Sequence, residues 1–203
     1  MLGVVDGSKA PTHIVINRAV SGHIVSTIAE KAFIASMVTK LTLPESITVI
    51  GEFAFAHCLH LLTVAFGHGD LTIQKSAFYG CTNLRSVSCS YTYSGSSVTI
   101  ESRAFCECRK LLYFEPDISV LHENAFEGCS ALEYIDIEDN ARLEKYALRG
   151  SAIKRASIAD RVVLDSEVME HLIQNDVLLE MPDYANAVEL MHFGIRVNAE
   201  EYV

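Results

Sequence analysis

Ala125-Phe126-Glu127-Gly128-Cys129-Ser130-Ala131-Leu132 decides the fold, because its pattern, Ala-Phe-x-x-Cys-x-x-Leu, recurs along the chain. Full copies begin at Ala54 (with Phe55, Cys58 and Leu61), Ala77 (with Phe78, Cys81 and Leu84) and Ala104 (with Phe105, Cys108 and Leu111). Two worn copies flank them. Ala32-Phe33 is followed by Ser36 and Val38, and Ala147-Leu148 by Ser151 and Ile153, each one residue shorter after the serine. From alanine to alanine the steps are 22, 23, 27, 21 and 22 residues. A unit recurring every ~20 to 50 residues is one supersecondary element that cannot bury its apolar face alone, so the copies stack into a solenoid.

The copies share a script. An apolar anchor stands four positions before each alanine: Ile28, Ile50, Ile73, Ile100, Leu121 and Leu143. Ala, Phe and Cys follow at helix-like spacing, which predicts one tight turn that drives the ring inward. Alanine keeps neighbouring coils close. A strand comes next, with alternate residues apolar: Leu41 and Leu43, Val64 and Phe66, Val87 and Cys89, Phe114 and Pro116, Ile135 and Ile137, Ala156 and Ile158. Pro116 has no N–H for a ladder, so its strand is expected to end early.

This arrangement resembles the BspA-like, or Treponema-type, leucine-rich repeats, whose pattern couples the Ala-Phe-x-x-Cys-x-x-Leu segment to a strand and an Ile-Pro-x-x-Val-x-x-Ile link. Leu43-Pro44-Glu45-Ser46-Ile47-Thr48-Val49-Ile50 reproduces that link. The resemblance implies an α/β repeat fold: a leucine-rich-repeat solenoid with a parallel concave sheet and short or helical turns on the convex side. It also implies binding without catalysis, as in surface and adhesion proteins of bacteria and protists. Met1 to Lys9 show neither a basic region nor an apolar stretch of leader type, so the expected location is cytoplasmic, with the cell surface as the alternative.

Six repeats are expected over residues 24–159, between an N-terminal cap (1–23, with a strand at Thr12–Ile16) and an acidic helical C-terminal cap (160–203). From Asp160 onward there are ten acidic and two basic residues. Asp165-Ser166 is placed to cap a helix from Glu167 to about Glu180, and a second helix is expected from Tyr184 to about Phe193, ended by Gly194. Ala187 to Asn198 also resembles the second helix and turn of an ankyrin repeat, so this segment reads either as a cap or as the start of another domain. Between the third and fourth of the six repeats, Ser90 to Ser97 form a polar insertion carrying Tyr91 and Tyr93.

Composition narrows the function. At 203 residues and 50% hydrophobic the chain can bury a substantial core, yet no apolar run reaches the roughly 20 residues of a membrane span, so no membrane insertion is expected. A net charge of −10 argues against a nucleic-acid partner. Four of the six cysteines hold one place in successive repeats and read as small core residues, replaced by Ser36 and Ser151 at the ends. Cys106-Glu107-Cys108 lacks the second pair or histidine that a zinc site needs. Cys106 fills a slot occupied elsewhere by Ala56, Tyr79 and Glu127, and is expected to be exposed and reactive. The eight histidines are scattered, so no catalytic set, cofactor or metal site is predicted.

Binding is the remaining class. If the apolar strand residues point inward, their neighbours point outward: Lys40 and Thr42, Thr63 and Ala65, Ser86 and Ser88, Tyr113 and Glu115, Tyr134 and Asp136, Arg155 and Ser157. Tyrosine and arginine are common interface anchors. The predicted contact surface for a protein or peptide is therefore Tyr113, Glu115, Tyr134, Asp136 and Arg155, with Lys40 and Ser86 in the earlier rows. The competing reading is a structural or targeting segment of a larger multidomain protein that docks through its acidic C-terminal helices.

Overall fold

The computed structural model describes residues 13–89, 97–159, 161–181 and 190–199. In chain order the strands are β1 (His13–Val15), β2 (Ala19–Val20), β3 (His23–Ile24), β4 (Thr27–Ile28), β5 (Lys40–Thr42), β6 (Val49–Ile50), β7 (Thr63–Phe66), β8 (Leu71–Ile73) and β9 (Ser86–Cys89). They continue with β10 (Val98–Ile100), β11 (Tyr113–Phe114), β12 (Ile118–Leu121), β13 (Tyr134–Leu143), β14 (Arg155–Ile158) and β15 (Val163–Leu164). The helix α1 (Ser166–Gln174) precedes β16 (Leu178–Met181) and β17 (Arg196–Ala199).

Apart from the β2–β3 hairpin, the strands form two parallel ladders. The first joins β1, β5, β7, β9 and β11, then resumes as the start of β13, β14, β16 and β17. The second joins β4, β6, β8, β10, β12, the end of β13, and β15. Strand β13 runs through both. The anchors of the sequence script form one column of the second ladder, with Ile28 opposite Ile50, then Ile73, Ile100, Leu121 and Leu143. All six are buried.

Of the short and helical turns that the sequence allowed, the turn edge takes the short form. In each coil the residue before the alanine and the residue before the Cys or Ser have left-handed backbone: Lys31 and Ala35, Phe53 and His57, Ser76 and Gly80, Arg103 and Glu107, Asn124 and Gly128, Tyr146 and Gly150. That alternation turns every second N–H away from its own segment. The Phe33, Phe55, Phe78, Phe105 and Phe126 amides donate to the alanine carbonyl of the next coil at 2.7–2.9 Å. The amides of Ala35, His57, Gly80, Glu107 and Gly128 likewise cross to the next coil. A helix would have spent those donors within the segment; here they make a third seam between coils.

Inside that seam the phenylalanines stack. Ring centroids along Phe33, Phe55, Phe78, Phe105 and Phe126 are 5.0–5.5 Å apart, and the planes differ by 2–18°. The cysteines do more than fill space. Cys58, Cys81, Cys108 and Cys129 donate to the carbonyls of Phe33, Phe55, Phe78 and Phe105 at 3.0–3.2 Å. A buried carbonyl left without a donor costs about 1–3 kcal/mol, and a thiol is small enough to supply one within the stack.

The C-terminal segment departs from the helical expectation. Asp165 caps α1 as predicted, accepting from the Glu167 amide at 3.1 Å. The helix stops at Gln174, however, and the rest of its expected span includes β16, which bonds to β14. The solenoid's own ladder competes for those residues, and Leu179 and Met181 are buried by it. β17 then pairs in parallel with β16, so residues that resemble an ankyrin turn are strand. Of the second predicted helix, residues 190–192 are helical and Phe193 is in a turn; residues 184–189, the insertion's Tyr91 and Tyr93, and the first residues of the N-terminal cap lie outside the described residues.

Candidate binding face

Along the first ladder the chain alternates between core and solvent as the sequence requires. Leu41, Val64, Val87, Phe114, Ile135 and Ala156 are buried, and Lys40, Tyr113, Glu115, Tyr134, Asp136 and Arg155 are exposed. Cys89, expected in the core, is only half-buried. Ser86 pairs with Tyr113, and Tyr134 with Arg155, so these residues form one column. Lys40 lies three rows before Tyr113, about 14 Å at the ordinary strand spacing, and is not part of the same patch.

The column is interrupted between Tyr113 and Tyr134. In the row-to-row bonds at the start of each strand, Leu62 donates to Thr39, Arg85 to Leu62, Leu112 to Arg85, Lys154 to Glu133 and Leu178 to Lys154. Among the described residues the corresponding bond from Glu133 to Leu112 is missing. Pro116 explains it. At the equivalent place the Ile16 and Leu43 amides donate forward to the Thr42 and Ala65 carbonyls of the next row, at 3.0 and 2.9 Å. Pro116 has no amide hydrogen to give to Asp136, and β11 ends at Phe114, as its sequence predicts.

The interruption opens a groove of about 440 Å³ lined by Leu112, Tyr113, Phe114, Glu115, Ala131, Glu133, Tyr134 and Asp136. Tyr113 is 65% exposed and Tyr134 38%. Sequence reasoning found the tyrosines, Glu115 and Asp136 but missed Glu133 and Leu112, whose roles depend on the missing rung. Asp136 also borders a second cavity of about 780 Å³, with Asp117, Glu138, Asp139 and Glu180 in its wall.

Charge on this face is unevenly balanced. Arg155 donates through Nε and Nη2 to Glu180 Oε1, at 3.1 and 2.7 Å, and its guanidinium lies over the Tyr134 ring at 5.9 Å. Arg161 pairs with Asp139 and Arg196 with Asp176, each at 2.7 Å, while Lys154 approaches Glu133 at 3.9 Å. Glu115, Asp117, Asp136 and Glu138 have no lysine or arginine within ion-pair distance among the described residues. Burial raises the Asp117 and Glu138 carboxyls above the ordinary range; Asp136 adds to the rise at Asp117, and Asp117 to that at Glu138. Burial also raises the Tyr134 phenol, with Asp136 adding and a Ser157 hydrogen bond opposing.

The expected reactive thiol is not there. Cys106 is buried, with Sγ 3.8 Å from Glu127 Oε2, because its slot is covered by neighbouring turns. Burial pushes its thiol up, with Arg103 opposing, and only the thiolate is the nucleophile. None of the six cysteines is in a disulfide. Among the described residues no group of three or more His, Cys, Asp or Glu side chains could hold a metal ion, and no helix is long and apolar enough to cross a membrane.

The model of the BspA-type leucine-rich repeat region matches residues 15–115 and 71–167, in six copies. The chain belongs to this family. BspA-type leucine-rich repeats are generally non-enzymatic protein-interaction or adhesion modules. Among solved structures, a leucine-rich repeat protein of T. pallidum is 15% identical, with a TM-score of 0.51, over 97% of this chain and 88% of that one. A leucine-rich repeat protein of Bacteroides ovatus is 21% identical over 95% of this chain and 61% of its own, with a TM-score of 0.44. A leucine-rich cell surface protein of Faecalibacterium prausnitzii is 17% identical over 89% and 42%, also at 0.44. The likeness to the T. pallidum protein is one of fold. No curated protein matches the BspA-type chain.

Proposed function

We propose that this chain is a non-enzymatic protein-interaction module that receives a protein or peptide segment on the first ladder, at the rows of Tyr113, Tyr134 and Arg155. The interruption beside Pro116 carries the reading: it opens a groove with two tyrosines and leaves backbone groups of Leu112 and Glu133 without row partners. Large rings with accessible hydroxyls supply contact area at low entropic cost, and the scaffold holds them on strands.

Selection of a displayed random-peptide library on the immobilised protein tests this. Peptides recovered should lose at least tenfold in affinity for Y113A/Y134A and keep their affinity for Arg109→Ala on the turn edge. Recovered peptides that bind Y113A/Y134A as well as the parent would overturn the assignment.

A further inference from the structure

The geometry points to an extended, arginine-containing segment of a partner protein as the occupant of the groove, with a guanidinium between Tyr113 and Tyr134 and its charge against Glu115 and Asp136. This inference rests on the binding face proposed above and names the chemistry that it selects.

Three features carry it. The first is charge complementarity. Arg155, Arg161 and Arg196 are each committed to a carboxylate of their own, whereas Glu115 and Asp136 on the groove, and Asp117 and Glu138 in the adjoining cavity, are left without a cation. The second is the aromatic lining. Arg155 already lays its guanidinium over Tyr134, so the ring accepts that group, and Tyr113 presents a more exposed ring with no cation of its own among the described residues. A cation over a tyrosine face and beside carboxylates gains from both. The third is continuity: Asp136 borders both the groove and the acidic cavity, so a segment with basic residues at alternate positions meets carboxylates beyond the first contact.

The carboxyls in that cavity hold protons more tightly than usual, because burial and like charge disfavour ionisation there. A bound guanidinium relieves that repulsion, so binding is expected to strengthen as the pH rises through the raised range of those carboxyls.

The test is fluorescence anisotropy with a labelled octapeptide of alternating Arg and Ser, beside peptides with Gln or Glu in place of Arg. The Arg peptide should bind saturably and the other two at least tenfold more weakly. E115Q/D136N should weaken the Arg peptide at least tenfold, while E30Q/E52Q, the same charge change at the far end of the solenoid, should leave it within about twofold. No binding of the Arg peptide, equal binding of the Gln peptide, or an equal loss in both charge variants would overturn the inference. Library peptides that depend on Tyr113 and Tyr134 yet carry no basic residue would sink this inference and leave the binding face standing. Tyrosine-independent library peptides would sink the face itself.

Discussion

The turn edge and the strand face of this solenoid are made by the same coils and obey opposite rules. On the turn edge the residues repeat: five stacked phenylalanines, four thiols each donating to a phenylalanine carbonyl one coil back, and two left-handed residues per coil. On the strand face only the backbone repeats, and its outward column changes from Lys40 and Thr63 to Ser86, Tyr113, Tyr134 and Arg155. The difference follows from what each position touches. An inward ring must fit the ring of the next coil about 5 Å away, whereas an outward side chain answers only to solvent and partners. Uniformity therefore marks the scaffold, and irregularity marks the surface free to acquire specificity.

Substitutions on the two regions should separate them. The largest effect is expected for Phe105→Ala, which empties a place between Phe78 and Phe126 and beside Phe114. A loss of about 3–5 kcal/mol in denaturant unfolding is expected. Cys108→Ala removes the donor to Phe78 O and should cost about 1–3 kcal/mol, with Cys108→Ser recovering part of it, since serine holds this place at Ser36 and Ser151. A loss no smaller for serine than for alanine would deny the thiol its hydrogen-bonding role.

Smaller effects sharpen the contrast. Ala35→Gly should raise stability by about 0.5–1 kcal/mol, opposite to the usual sign, because Ala35 is left-handed and glycine bears no penalty there. On the strand face, Y113A/Y134A should move the melting temperature by no more than about 2 °C while affecting ligand binding. The Glu138 carboxyl is raised, so its protonated form stabilises the fold below the unfolded-state value, and that contribution is lost as the pH rises through the folded-state value. Glu138→Gln should therefore raise the melting temperature at pH 7 and not at pH 4; an equal shift at both would remove the charge explanation.

Much of the scaffold was legible in the sequence because repetition averages out local ambiguity. The anchors at Ile28 through Leu143, the inward and outward alternation, and the early end of β11 at Pro116 all follow from residue type and spacing. The sequence left the turn open between a short and a helical one, because Ala, Phe and Cys at three- and four-residue intervals satisfy a helix as well as a left-handed pair of turns. Only the donation of alternate amides across coils distinguishes them. The exposed reading of Cys106 failed because variability suggested solvent, while neighbouring turns bury the slot. At the C-terminus, helix-forming residues from Val177 to Glu180 were drawn into a ladder already exposed on β14. Of the candidate site, the side chains were visible in the pattern. The groove was not, since it arises from a rung that Pro116 removes and from Glu133 and Leu112 left facing one another.

That missing rung also has a mechanical meaning. Among the six repeats, neighbouring coils are joined along up to three seams: the first ladder, the second ladder and the turn edge. Between the coils of Tyr113 and Tyr134 the first seam is open, while β12 still pairs with β13 and Phe105 and Glu107 still donate to Ala125 and Glu127. A solenoid bends like a spring, and among the six repeats the joint fastened along two lines instead of three is expected to be the softer one. The other two seams act as a spine, so flexure there opens or narrows the slit between the tyrosines without unstacking the core. The give of this joint and the fit of its groove thus share one proline, Pro116.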